Sequence, residues 1–249
     1  DRAQIARLSG LWFDALAGIC AHVQNGGGGL TPSDIAPARL SQHQIDELQR
    51  QYGVADILPL SPMQEALLFH AATIGGHPDD VYAMQLDITV GGPLDPGRLL
   101  KAVRTVTQRH PNLAARFSNQ FDQPVQVIPA DPQTPWQSLE FDTDVDVDDQ
   151  IQRVCAAERV AVCDLTDPPA FRVTLVRTAP EQYRIVLTFH HIVMDGWSLP
   201  ILLHEIFASY YGQRLPAATP YRRFVTWLGE RDHDAARAAW RDVLAGFDT

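Results

Sequence analysis

The chain has 249 residues, 45% of them hydrophobic, and a formal net charge of −10 at pH 7. That is enough apolar sequence for one large core or two modest ones, while the acidic balance argues against non-specific nucleic-acid binding, which relies on cationic surface. No apolar run approaches the roughly 20 residues a membrane span needs, no basic, apolar leader pattern occupies the first residues, and Cys20, Cys155 and Cys163 are too few and too scattered for a disulfide framework or a zinc site. The expectation is a cytoplasmic protein with neither nucleic acid nor membrane as partner.

In chain order, Leu8, Leu11, Trp12, Ala15, Leu16, Ile19 and Val23 recur at three and four and predict one amphipathic helix over residues 1–24. Asn25 and the glycines 26–29 stop it and suit a connector. A phosphate-cradling loop is disfavoured there, because no strand precedes the glycines and no Gly-Lys-Ser/Thr follows. Ser41 to Arg50 reads as a short helix, with Ser41 and Gln44 able to close a capping box. Ser61 and Gln64, with Pro62 in the first turn, predict another helix to about Ala72.

Met84, Leu86, Ile88 and Val90 alternate with polar residues, as in a half-buried strand. Asp95-Pro96 opens a helix with Leu99, Leu100, Val103 and Val106 on one face. Leu113 to Phe117 and Val125 to Ile128 are short strand candidates, and Ile151 to Val162 is helical by spacing, with Asp148 as its candidate cap and Cys155 and Cys163 eight apart on one side. Phe171–Leu175 and Tyr183–Phe189 alternate and predict an antiparallel hairpin with a long loop, Arg177 to Gln182. Three helices, Ser198 to Tyr211, Tyr221 to Arg231 and Asp234 to Ala245, follow. Interleaved strands and helices without a regular βαβ repeat predict an α+β layered sandwich.

The most informative segment is His190-His191-Ile192-Val193-Met194-Asp195-Gly196, at the end of the second hairpin strand. Side chains at a strand end project from a rigid base, and a histidine there can hold or move a proton near neutral pH. The functional reading makes His191 a general base and Asp195 a shaping residue. The bland reading is a polar loop after a sheet strand.

This segment resembles the HHxxxDG signature of the condensation superfamily of nonribosomal peptide synthetases, related to the chloramphenicol acetyltransferase fold. His190, His191, Asp195 and Gly196 fill its fixed positions. Three more segments resemble family motifs in the family's order: Leu60 to His70, Arg109 through Phe117, and Tyr221-Arg222-Arg223-Phe224 through Trp227. The likeness covers about residues 54 to 249. Residues 1–50, with Thr31-Pro32-Ser33-Asp34 and Leu40 to Leu48, resemble the tail and linker after an epimerization domain. The resemblance thus implies a helical tail and linker at 1–50. Residues 51–249 are expected to be the N-terminal lobe of a two-lobed condensation domain, ending near Leu244 to Phe247, with the C-terminal lobe either on a separate chain or absent.

The family likeness further implies amide formation between two thioesters carried on the phosphopantetheine arms of donor and acceptor peptidyl carrier domains, with no cofactor or metal bound directly. His191 matches the catalytic histidine, acting by proton transfer or by positioning. Gly196 matches a residue whose backbone lies by the reacting carbonyl, where the missing Cβ permits close approach and φ > 0. His190 matches a loop-orienting histidine. Asp195 in this family pairs with a second-motif arginine, but here Ala114 stands at that position. Arg109 or Arg116 then substitutes, or backbone and water satisfy the carboxylate.

Met63-Gln64-Glu65, Arg109 to Leu113 and Asp195 to Ser198 resemble the subclass that joins a D-configured donor to an L-configured acceptor. The alternatives are an epimerization domain, which shares HHxxxDG but abstracts an α-proton, a noncatalytic carrier-docking or recruitment domain, and an acetyltransferase using coenzyme A. Two acidic groupings are weaker. His70, His77, Asp79 and Asp80 match no common metal spacing, and solvation in a loop is the expectation. Asp142, Asp144, Asp146, Asp148 and Asp149 lack the glycine and closing glutamate of a calcium loop.

Overall fold

The computed structural model describes residues 1–24, 28–74, 80–141, 146–165 and 169–247. The glycine-rich stop at residues 25–27, His77 and Asp79, and Asp142 and Asp144 lie outside them. No described helix is long and apolar enough to cross a membrane.

Helix α1 (Arg2–Gln24) follows the apolar spacing but buries no residue. Helix α2 (Gln42–Gln51) starts at the capping box of Ser41 and Gln44, both halves of which are formed. Its Ile45 and Leu48 bury against Ile35, Ala38 and Leu40, and against Ile57, Val125 and Val127 of a three-stranded sheet. That sheet contains β1 (Val54–Pro59), β3 (Arg116–Ser118) and β4 (Val125–Pro129). Its order is β1-β4-β3 with both pairings antiparallel. Residues 30–51 are therefore packed into a core with the sheet rather than trailing from it.

Strand β2 (Ala83–Gly91) belongs to a second sheet with β5 (Trp136–Glu140), β6 (Phe171–Ala179) and β7 (Gln182–His190), in the order β2-β7-β6-β5. Only β5 runs parallel to its neighbour. Alternation along β7 divides the layers. Leu187 and Phe189 face a core shared with Leu99, Val103 and Val106 of α4 (Pro96–Arg109) and Leu202 and Ile206 of α6 (Ser198–Tyr210). Val186 faces the opposite layer, with Ile151 and Cys155 of α5 (Val147–Cys163). Each fully buried Phe or Leu contributes roughly 1.5–3 kcal/mol. Helix α3 (Pro62–Ile74), α7 (Tyr221–Gly229) and α8 (His233–Val243) complete the chain, and α8 buries no residue.

Four local expectations change. Pro111–Ala114 is a 3-10 turn, so the strand after it is only Arg116–Ser118; the proline and the adjoining His110 end α4 abruptly and leave no room for a longer strand. The hairpin is tight, because β6 continues to Ala179 opposite Gln182. Glu181, at φ 56, takes the left-handed position of the turn. Helix α5 is capped by Asp146, which accepts from the N–H groups of Asp148 and Asp149, and not by Asp148. Strands β1 and β5 lack a pattern that predicts them: β1 contains Asp56 and ends in proline, and its place is fixed from outside, by β4 and by the Arg222 guanidinium on Asp56 (2.8 Å, Nε to Oδ2).

An ion pair ties α5 to the sheet. Arg172 Nε donates to Glu158 Oε2 at 2.6 Å, with Glu158 5% exposed. Arg172→Met would leave a buried carboxylate unpaired and is expected to cost roughly 3–5 kcal/mol in urea unfolding, whereas Arg172→Met with Glu158→Leu should recover most of that loss.

Candidate active site

The site is built where β7 ends. His190 is wholly buried at the end of β7, an interior strand of the sheet, opposite Ala83 of β2. Its Nδ1 accepts the N–H of Ile192 at 3.0 Å. That nitrogen therefore carries no proton, and Nε2 carries it, pointed at Asp80 Oδ2 at 3.3 Å. Burial pushes the imidazole below its usual 6.5, against the pull of Asp80. The ring is neutral with both nitrogens committed. Asp80, itself 0% exposed, also accepts the N–H of Tyr82 at 2.9 Å. The solvated loop expected for Asp80 is thus wrong: burial beside His190 supplies its partners. Among the described residues no group of three or more His, Cys, Asp and Glu is arranged to hold a metal.

His191 differs in kind. Its backbone N–H donates to the Tyr82 carbonyl at 2.9 Å, and its side chain is only half-buried. Nδ1 lies 3.1 Å from the Met194 carbonyl. A carbonyl can only accept, so Nδ1 carries a proton, and in the neutral ring the lone pair lies on Nε2. Phe189 meets the ring edge-on, with centroids 5.9 Å apart, and limits its rotation. Adjacent histidines thus have different tautomers, and only His191 has a basic nitrogen left over.

The three residues between the histidines and the aspartate are the loop's anchors. Ile192, Val193 and Met194 are buried in the main core. The Ile192 carbonyl accepts from Gln64 Nε2 at 2.9 Å. Gln64 Oε1 in turn accepts from Ser61 N–H, Gln126 Nε2 and the Tyr221 hydroxyl. One buried amide therefore joins the first motif, β4 and α7 to the histidine loop. Gln64 was legible as a helix cap, but its contact 128 residues away was not.

Asp195 Oδ1 accepts from the N–H of Ser198 at 2.8 Å and from its hydroxyl at 2.6 Å, at the first turn of α6. The Ser198 hydroxyl, more than any other group, holds the carboxyl below its usual 3.8. Of the three partners left open for Asp195, local satisfaction is the geometry present. Arg109 is committed elsewhere: Nε and Nη2 grip Glu205 at 3.1 and 3.2 Å, and Nη2 also donates to the Pro216 carbonyl. Arg116 lies over the Tyr52 ring at 5.3 Å. Ala114 is 3% exposed, so an arginine there would have to be buried. Gly196 is exposed, without positive φ, and a Cβ built on it meets nothing within 4 Å. The fold of this chain does not require that glycine.

The second motif acts as a brace. His110 Nε2 lies 2.8 Å from Glu205 Oε2, on the carboxylate that Arg109 also holds. Burial raises the Glu205 pKa, but the hydrogen bonds from Arg109 and His110 outweigh it and the net shift is downward. Glu205 carried no sequence signal, because it lies inside an apolar helix far from either partner.

A profile described as the condensation domain matches residues 54–249. The chain belongs to the condensation domain family. It is 31% identical over 234 residues to a polypeptide of the mycosubtilin synthase of Bacillus subtilis, covering 88% of this chain and 9% of that protein. It is 32% identical over 259 residues to a polypeptide of the linear gramicidin synthase of Brevibacillus parabrevis, covering 98% of this chain and 5% of that one. Among solved structures, the starter condensation domain of rhizomide synthetase RzmA superposes with a TM-score of 0.66 at 20% identity, over 77% of this chain and 48% of that one. The chain thus carries condensation-domain sequence with the α+β, chloramphenicol acetyltransferase-like fold. It spans under a tenth of the two synthetases and about half of the solved domain.

Asp195→Ala removes the two hydrogen bonds to Ser198 at the start of α6 and strands no guanidinium. The expected cost in denaturant unfolding is about 1 kcal/mol near neutral pH. The depressed carboxyl contributes stability above its unfolded value and loses it as pH falls through the folded value, so the difference between wild type and Asp195→Ala should shrink below about pH 3.9.

Proposed function

We propose that residues 51–249 form the N-terminal lobe of a condensation domain, preceded by a helical linker at 1–50, and that the complete domain joins a donor acyl thioester to an aminoacyl acceptor. Both substrates arrive on phosphopantetheine arms of carrier domains, and the C-terminal lobe supplies the other wall of the cleft. The observation that carries this reading is the tautomer of His191, with Nδ1–H fixed on the Met194 carbonyl and Nε2 basic.

The acceptor amine attacks the thioester carbonyl, forming the C–N bond and a tetrahedral oxyanion. His191 Nε2 takes the proton the nitrogen must lose. Collapse of the oxyanion breaks the C–S bond, and the proton passes to the departing thiolate, which leaves as the carrier thiol. A thioester is already activated, so much of the acceleration comes from holding the two carriers' substrates in contact; such positioning is worth on the order of 7–11 kcal/mol in oriented systems. His190 cannot share the proton transfer, since both its nitrogens are engaged, and it orders the loop. Asp195 fixes the loop on α6. The open space at Gly196 suits the approach of the thioester, with its N–H an oxyanion donor. The likeness of Met63 to Glu65, Arg109 to Leu113 and Asp195 to Ser198 to one subclass supports a D-configured donor and an L-configured acceptor.

The test is a single-turnover assay with loaded donor and acceptor carriers and mass-spectrometric detection of dipeptide by the complete two-lobed domain. His191→Ala is expected to lower the rate about 10²–10⁴-fold while carrier binding is unchanged. A near-normal rate would assign His191 to positioning alone. Epimerised donor without amide would assign the chain to epimerization instead. Residues 1–249 alone should fold, seen as dispersed NMR spectra, and form no dipeptide.

A further inference from the structure

A cavity of ≈ 280 Å³ opens beside the histidine loop, between α6, α7 and the turn after α4. Leu113, Val193 and Leu202 form its buried floor, and Ile201 and Phe224, 60% and 47% exposed, stand at its rim. Its lining includes no Lys, Arg, Asp or Glu. The His110 ring reaches it, but that ring is engaged with Glu205. An ionic group entering would lose hydration without a counter-charge, and the rest of the lining is mostly apolar, with Asn112, Ser198, Thr219 and Tyr221 as polar members, so the cavity favours uncharged, largely apolar groups. It lies just under the roughly 300–1,000 Å³ of pockets that hold whole drug-sized ligands. A single side chain is the better match.

Besides Val193, two of its lining residues hold the side chains of the histidine loop. Met194 lines the cavity while its carbonyl holds His191 Nδ1, and Ser198 lines it while binding Asp195. The cavity therefore shares its wall with the residues that hold His191 and Asp195 in place, although neither of those two side chains lines it. The larger cavity of ≈ 680 Å³, between residues 37–44 and α7, shares no residue with this loop.

We propose that this cavity receives the apolar side chain of one of the two amino-acid residues being joined, with Ile201 and Phe224 determining the size accepted. The proposal rests on the condensation reading given above. It assigns a specificity pocket to the N-terminal lobe, made from loop, α6 and α7 residues.

The test uses stable pantetheine amides of phenylalanine, glycine and glutamate. Those with a free amine imitate the acceptor, and those N-acetylated imitate the donor. Methyl NMR of the 249-residue chain is expected to show saturable shifts at Ile201, Val193 and Met194 with a phenylalanyl mimic, about tenfold or more weaker with the glycyl and glutamyl mimics. Whichever of the free or acetylated forms binds identifies the substrate served. Ile201→Trp, at an exposed position that does not endanger folding, should cut the phenylalanine-to-glycine preference at least tenfold. Phe224→Ala should widen acceptance toward tryptophan. Binding that ignores the side chain, absence of shifts at these methyls, or a preference untouched by both substitutions would overturn the proposal. The two readings fail separately. Amide formation with an unaltered side-chain preference in Ile201→Trp removes the pocket and keeps condensation. Selective binding in a complete domain that makes no amide removes condensation and keeps the pocket.

Discussion

His190 closes β7 inside the protein, and a buried imidazole has to satisfy both ring nitrogens. Ile192 N–H fills one and the Asp80 carboxylate faces the other. That pair of contacts sets the tautomer, turns the chain out of the sheet and aims the next residue to the other side. The locked histidine has both ring nitrogens engaged, and the histidine that follows stands with a half-open ring. An unpaired buried carboxylate at Asp80 would be costly, so dyad and loop stand or fall together.

Support for the loop comes from amide and ion-pair contacts that cross the fold. Gln64 carries the load from α3, β4 and α7 to the Ile192 carbonyl. Glu205 gathers Arg109 and His110 and so fixes α4 against α6. The motifs of the family read, in this structure, as brackets around one loop. The second motif acts through Glu205 and leaves Asp195 to α6. Such an arrangement tolerates Ala114, because the position is buried and apolar here and Asp195 has its partner in Ser198.

Surfaces at the two ends of the chain behave differently from the core. Helix α1 and helix α8 keep apolar residues such as Trp12 and Trp240 exposed, and neither buries a residue. By contrast, the segment between α1 and β1 is well packed on the three-stranded sheet. The second half of the proposed linker therefore packs on the lobe that follows it.

Local rules made much of this legible from sequence. Apolar spacing and capping boxes placed α1 through α4, and period-two alternation placed β2, β6 and β7, because helices and half-buried strands are dictated by neighbours in the chain. The four motif segments carried the family, and His190, His191, Asp195 and Gly196 carried the loop. Short elements escaped: β1 and β5 are held by pairing with distant strands, and five or six residues hold too little pattern to announce themselves. The protonation pattern escaped as well. Whether Asp80 is solvated or buried, whether Asp195 meets an arginine or Ser198, and which histidine nitrogen is basic are settled by groups brought together from up to 110 residues apart. Sequence determined the family and which residues fill its HHxxxDG positions; only the tertiary structure decided how each of their polar atoms is engaged, since hydrogen-bond partners and burial are properties of the folded chain.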